Sequence, residues 1–126
     1  MSDYTVLIVE DNPNNRMIMR DMMEVQGHKT LEAVDGSAGL AMALEHRPDL
    51  ILMDVQLPGM DGYEVTRRLK TQDETKHIPI VAVTSYAMKG EEERAREAGC
   101  DAYVTKPFSG TELIAKIEQL LQRAPR

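Results

Sequence analysis

Residues 50–54 read Leu-Ile-Leu-Met-Asp, four apolar side chains in succession closed by an acid. A strand with one wet face alternates apolar and polar residues, whereas an unbroken apolar run belongs to a strand covered on both faces. Working outward, Val6-Leu7-Ile8-Val9 repeats the pattern and is also closed by acids, Glu10 and Asp11. Ile78-Pro79-Ile80-Val81-Ala82-Val83 repeats it again and is followed by Thr84 and Ser85. With two weaker runs, strands are expected over residues 5–9, 29–33, 50–53, 78–83 and 102–104.

The segments between them carry helical signals. After Pro13, apolar residues recur at Ile18, Met22 and Val25, and Gly27 is placed to end the helix. Residues 36–46 supply Leu40, Ala41 and Leu44 and stop before Pro48; residues 63–71 set Val65 and Leu69 four apart. Residues 109–123 carry Leu113, Ile117, Leu120 and Leu121 at helical spacing, with Ser109 placed as a cap and Glu112 in the first turn. The fourth helix, over residues 87–98, has chiefly Met88, Ala95 and Ala98 to bury among seven charged residues, so it should be lightly held and able to shift.

Strand and helix alternate five times, which predicts an α/β doubly wound (βα)5 fold of flavodoxin-like type, with helices on both faces of a five-stranded parallel sheet and crossovers of the usual hand. Strand orders beginning 3-2-1 and 2-1-3 both fit such a chain. No G-x-G-x-x-G follows the first strand, as the dinucleotide-binding order would favour, and the expected order is 2-1-3-4-5. Ligands of open α/β sheets sit at the carboxyl ends of the strands, where strand order reverses. That edge would gather Glu10 and Asp11 from strand 1, Asp54 from strand 3, Thr84 and Ser85 from strand 4, and Lys106 after strand 5. Three acids brought together repel one another unless a cation joins them. Mg²⁺ suits the gap, because it takes oxygen ligands and is held by one or two carboxylates plus a phosphate.

The set Glu10-Asp11, Asp54, Thr84 and Lys106-Pro107 resembles the receiver domain of bacterial two-component response regulators. The resemblance runs through VLIVEDN, DLILMDVQLPGMDGYEV, IPIVAVTSYA and AYVTKPF, essentially the whole chain. It implies that Asp54 is the phosphoacceptor, its carboxylate forming an acyl phosphate. It implies Asp11, Asp54 and the backbone carbonyl of Gln56 as ligands of Mg²⁺, for which Mn²⁺ can substitute, with Glu10 acting through metal-bound water or by setting local charge. Lys106 would add positive charge at the transferring phosphoryl group, Thr84 and Tyr103 would form the switch pair, and the bond before Pro107 would be cis. Gln56 and Tyr86 match positions that tune hydrolysis of the acyl phosphate.

The implied function is phosphorelay signalling. A histidine kinase or histidine phosphotransfer protein would supply the phosphoryl group, and a downstream target protein would read the surface of helix 4, strand 5 and helix 5. Only self-directed phosphotransfer and autodephosphorylation are implied, so the chain is not expected to be an enzyme. The stretch AMKGEEERAREAGCDAYVTKPFS is similar to stand-alone cell-cycle receivers of the DivK type, and parts of it to receivers of hybrid histidine kinases. Met1 and a tail running past the last helix are the pattern of an intact protein rather than a receiver excised from a larger regulator. A haloacid-dehalogenase-type phosphatase would carry a second Asp two residues after the nucleophile, where this chain has Gln56. A flavodoxin-like electron carrier would have a hydroxyl- and glycine-rich loop after strand 1, where this chain has acids.

The bulk numbers agree. A chain of 126 residues fits one domain, spanning 1–126, and its net charge of -6 argues against a nucleic-acid backbone as partner. One cysteine permits no intramolecular disulfide, there is no signal peptide, and no apolar run approaches the roughly 18 residues of a membrane span. The protein is therefore expected in the cytoplasm, away from membranes. Cys100 reads as a small buried filler and His28, His46 and His77 as surface residues. Pro58-Gly59-Met60-Asp61-Gly62 reads as a turn with two glycines at positive φ. Met17, Met19, Met22 and Met23 exceed what one core-facing stripe can hold, and the surplus reads either as ordinary filling or as a docking face for a partner helix.

Overall fold

A computed structural model describes residues 4–85, 89–106 and 109–123. The elements run β1 (Thr5–Val9), α1 (Pro13–Val25), β2 (Lys29–Ala33), α2 (Gly36–His46), β3 (Leu50–Asp54), α3 (Gly62–Lys70), β4 (Ile80–Thr84), α4 (Glu91–Ala98), β5 (Ala102–Thr105) and α5 (Gly110–Arg123). All strand pairs are parallel and the order is β2-β1-β3-β4-β5, as expected.

The unbroken apolar runs are explained by the two faces they serve. Val6, Ile8, Leu50, Leu52, Val81 and Val83 pack with Met19 and Met23 of α1 and with Leu113, Ile117 and Leu121 of α5. Leu7, Val9, Ile51, Met53 and Ile80 point the other way, against Ala43 of α2 and Val65 and Leu69 of α3. A third, smaller cluster joins Val55, Tyr63 and Ala82 to Ala95 and Ala98 of α4. Fully burying each large side chain contributes about 1.5–3 kcal/mol, so the two large clusters hold the fold and α4 adds little.

Several local expectations are corrected. β4 starts at Ile80, with Ile78 and Pro79 buried ahead of it, because the proline has no N–H to give to the ladder. On α1 the buried residues are Met19 and Met23, while Ile18 and Val25 are 48% and 82% exposed. The helix carries apolar residues around more than one face, so periodicity alone could not set its phase. On α2 the buried residues are Gly36, Gly39 and Ala43; Leu40 and Leu44 flank them half-buried, and Ala41 is exposed. The helix lies so close to β1 that a Cβ on Gly39 would come within 2.8 Å of Val9.

His28 is a buried residue rather than a surface one: its Nε2 lies 2.7 Å from Glu118 Oε2 on α5, and its ring meets Tyr4 edge-on. Of the two turn glycines only Gly59 has positive φ, at 72°. Gly62 is needed for space, since a Cβ there would lie 2.3 Å from the Asp54 carbonyl oxygen and 2.7 Å from Val55 Cα. α3 therefore starts pressed against the end of β3. Cys100 is half-buried, its Sγ 3.9 Å from Thr66 Oγ1. The expectations for Tyr86, for Met88 and for the peptide bond at Pro107 lie outside the described residues.

Candidate functional site

The edge formed by the carboxyl ends of β1, β3, β4 and β5 assembles the site. Glu10 follows β1 and is 1% exposed; Asp54 closes β3 and is 3% exposed; Asp11 beside them faces solvent. One carboxylate oxygen from each of Glu10, Asp11 and Asp54 lies within 4.8 Å of the others. Lys106, just after β5, donates from Nζ to Glu10 Oε1 at 2.8 Å and to Asp54 Oδ2 at 3.4 Å. Its backbone N–H bonds to the Thr84 carbonyl at 2.6 Å, which ties the lysine to the end of β4.

The electrostatics follow from burial. Desolvation pushes the Glu10 carboxyl above its ordinary range, the Lys106 and Asn12 hydrogen bonds pull it down, and Asp54 pushes it up again, leaving it raised. Burial alone would lower the Lys106 ammonium, but its hydrogen bond to Glu10 and the field of Asp54 outweigh that and raise it. Three carboxylates less one ammonium leave two negative charges in the cluster, which matches a divalent cation. All three acidic donors are oxygen, the ligand type that Mg²⁺ prefers.

The surroundings hold these groups in place. The N–H of Gln56 donates to Asp54 Oδ1 at 3.0 Å, and the Gln56 side-chain oxygen accepts from the Ser85 N–H at 3.0 Å, linking the loop after β3 to the end of β4. Asn12 donates from its N–H to Glu10 Oε2 and caps α1 through its side chain to the Asn15 N–H. Arg16 reaches back from α1 to the Glu10 carbonyl at 3.0 Å while pairing with Glu32 of β2 at 3.0 Å.

Thr84 is fully buried at the end of β4, and Tyr103 of β5 is half-buried against the small cluster with Tyr63, Ala82, Ala95 and Ala98. Tyr103 is level with Ala82 and Thr84 with Thr105, so the two expected switch residues lie diagonally across one sheet face. The sequence expectation brings all these residues to one edge and allows Glu10 a charge-setting role, but it does not contain the direct Glu10–Lys106 pair. Their separation of 96 residues leaves no local signal. The Gln56 bridge to Ser85 and the Arg16 contact were likewise unanticipated.

Residues 6–118 match the family described as the response regulator receiver domain. The chain is 51% identical over 117 residues to the polar-differentiation response regulator DivK of Brucella anthropi, covering 93% of this chain and 95% of that protein. The receiver domain of a sensor histidine kinase from Pseudomonas aeruginosa PAO1, solved with a magnesium ion coordinated in its active site cleft, superposes with a TM-score of 0.89 at 34% identity, covering 96% of this chain and 99% of that one. A CheY-like receiver domain protein from Methanospirillum hungatei superposes equally well, with a TM-score of 0.89 at 28% identity over 97% of this chain and 96% of that one. Among the described residues no helix is long and apolar enough to cross a membrane.

Proposed function

The chain belongs to the response regulator receiver domain family, and from that premise we propose that it is a Mg²⁺-dependent phosphoacceptor of a phosphorelay, modified on Asp54. The observation that carries this reading is the buried Asp54 carboxylate, with the Lys106 ammonium at 3.4 Å and the Glu10 and Asp11 carboxylates grouped beside it. An Asp54 oxygen attacks the phosphorus of a phosphohistidine on a kinase or phosphotransfer protein, the P–N bond breaks, and the histidine leaves. Phosphoryl transfer depends on positioning and charge neutralisation more than on covalent help. Lys106 supplies one fixed positive charge, already held by Glu10. The Gln56 N–H fixes the second Asp54 oxygen, so the carboxylate enters the reaction with its rotation stopped. Bound through Asp11, Asp54 and the Gln56 carbonyl, with Glu10 acting through water, Mg²⁺ would supply the remaining charge on the phosphoryl oxygens.

The new phosphoryl group brings nearly two negative charges and three acceptors to the mouth of β3 and β4. The Thr84 hydroxyl answers it, Tyr103 follows on the same sheet face, and the surface of α4, β5 and α5 carries the signal to a target protein. The test is phosphate-affinity electrophoresis after incubation with acetyl phosphate and Mg²⁺. Parent chain shifts and Asp54→Asn does not; an equal shift in both removes Asp54 as the acceptor.

A further inference from the structure

The fourth helix is tethered by a polar pair that the phosphoacceptor chemistry does not use. Its buried residues are Glu91, Ala95 and Ala98, and its N-terminal Gly90 offers no side-chain cap. Glu91, 7% exposed, accepts a 2.7 Å hydrogen bond at Oε1 from the hydroxyl of Tyr63, itself 4% exposed. Arg94 lies over the Tyr63 ring at 5.2 Å and reaches Glu91 Oε2 at 3.5 Å, closing the cluster from the solvent side. Burial, and then the Glu91 carboxylate, push the Tyr63 hydroxyl well above the ordinary tyrosine range, so it stays a proton donor.

The other end of this tether is the acceptor strand. Gly62, next to Tyr63, gives its N–H to the Val55 carbonyl at 3.2 Å and sits where any side chain would strike the Asp54 backbone. Val55, adjacent to Asp54, shares the small apolar cluster with Tyr63, Ala95 and Ala98. A buried carboxylate needs its partner, whereas two alanines supply little burial, so the pair rather than apolar packing fixes where the first turn of α4 lies.

We propose that Tyr63 and Glu91 are a positioning pair that holds the first turn of α4 in the place this structure shows and so opposes its displacement when Asp54 carries a phosphoryl group. The proposal rests on the phosphoacceptor reading above. An interaction made in only one of two states sets their ratio, so its loss favours the other state and every ligand that selects it.

The test uses the full chain and Tyr63→Phe, which keeps the ring and removes the hydroxyl. In hydrogen–deuterium exchange, residues 91–98 of the variant exchange about tenfold or more faster, the size expected for one lost hydrogen bond to a charged group, while β1 and β3 are unchanged. Beryllofluoride with Mg²⁺, which mimics a phosphoryl group on a carboxylate, binds the variant severalfold more tightly. Glu91→Gln keeps an acceptor for the hydroxyl but loses the charge and the Arg94 pair, and falls between the parent and Tyr63→Phe in both measurements. Unchanged α4 exchange overturns the proposal, and so does loosened α4 with unchanged or weaker beryllofluoride affinity, which is the signature of a purely structural pair. A parent chain that binds no beryllofluoride, with α4 still loosened by Tyr63→Phe, defeats the phosphoacceptor reading and the coupling with it, leaving only the tether.

Discussion

Lys106→Met probes how the site holds its charge. The substitution keeps an apolar stem and removes the ammonium that donates to Glu10 at 2.8 Å and to Asp54 at 3.4 Å. Glu10 and Asp54 are 1% and 3% exposed, so water has little room to replace it. At an effective dielectric near 20, a unit pair about 3 Å apart attracts by roughly 5–6 kcal/mol, most of it offset by the desolvation of the two charges. Removing one partner leaves that desolvation uncompensated, at a usual cost of about 3–5 kcal/mol. The lower end applies because Asp11 opens the cluster to solvent on one side. The expected loss near neutral pH is about 3 kcal/mol, or about 12 °C in Tm for a domain of this size.

The pH dependence distinguishes this cause from a packing defect. The Glu10 carboxyl already sits above its ordinary 4.5, and the Lys106 hydrogen bond is the strongest influence holding it down. Without that bond it rises further, so the folded variant takes up a proton more readily than the unfolded chain. Stability from a carboxyl raised in the folded state is full below the unfolded value and lost as pH rises through the folded one. The deficit of the variant should therefore be largest near neutral pH and shrink towards about pH 4.5. Mg²⁺ should restore more stability to the variant than to the parent, because the cluster then carries one more uncompensated negative charge. Urea unfolding at both pH values, with and without Mg²⁺, reads all three effects. A deficit below about 0.5 kcal/mol near neutral pH, or one equal at both pH values, refutes the reasoning.

The exposed edge of α1 gives a second prediction. Of the methionines expected on a docking face, Met19 is buried and Met17 is exposed beside Ile18, and changing Met17 and Ile18 to Glu should slow phosphotransfer from a partner protein while leaving uptake from acetyl phosphate intact; equal slowing of both sinks the docking face. Burial pushes the Cys100 thiol from 9.0 to about 11, so alkylation of the folded chain should stay slow until the pH approaches that value. The same shift contributes stability that is full below pH 9.0 and lost as pH rises through about 11. Cys100→Ala should flatten that decline in alkaline urea melts, and an unchanged decline assigns it instead to Tyr63 and Tyr103, whose hydroxyls are raised in the same direction.

Much of the architecture was legible because it depends on short-range patterns. The unbroken apolar runs at 6–9 and 50–53 are short, rich in β-branched or aliphatic residues and closed by acids, the pattern of strands covered on both faces, and those acids meet at one edge once the strand order is fixed. Helix phase was less legible. α1 carries apolar residues on adjoining faces, and only packing on the sheet selected Met19 and Met23 over Ile18 and Val25. His28 gave no warning of burial, since its partner Glu118 is 90 residues away. Gly62 read as turn chemistry, and its actual constraint, the closeness of the Asp54 backbone, exists only in three dimensions.

By itself the sequence determined the order of elements, the parallel doubly wound sheet and the roster of polar residues at the carboxyl edge of its strands. These follow from periodicity and strand-end chemistry, which neighbouring residues decide among themselves. Tertiary structure alone decided which polar groups pair: Lys106 with Glu10 as well as Asp54, and the neutral Tyr63 hydroxyl with Glu91. A buried charge takes whichever partner the packing brings within about 3 Å, and a linear chain carries no record of that distance.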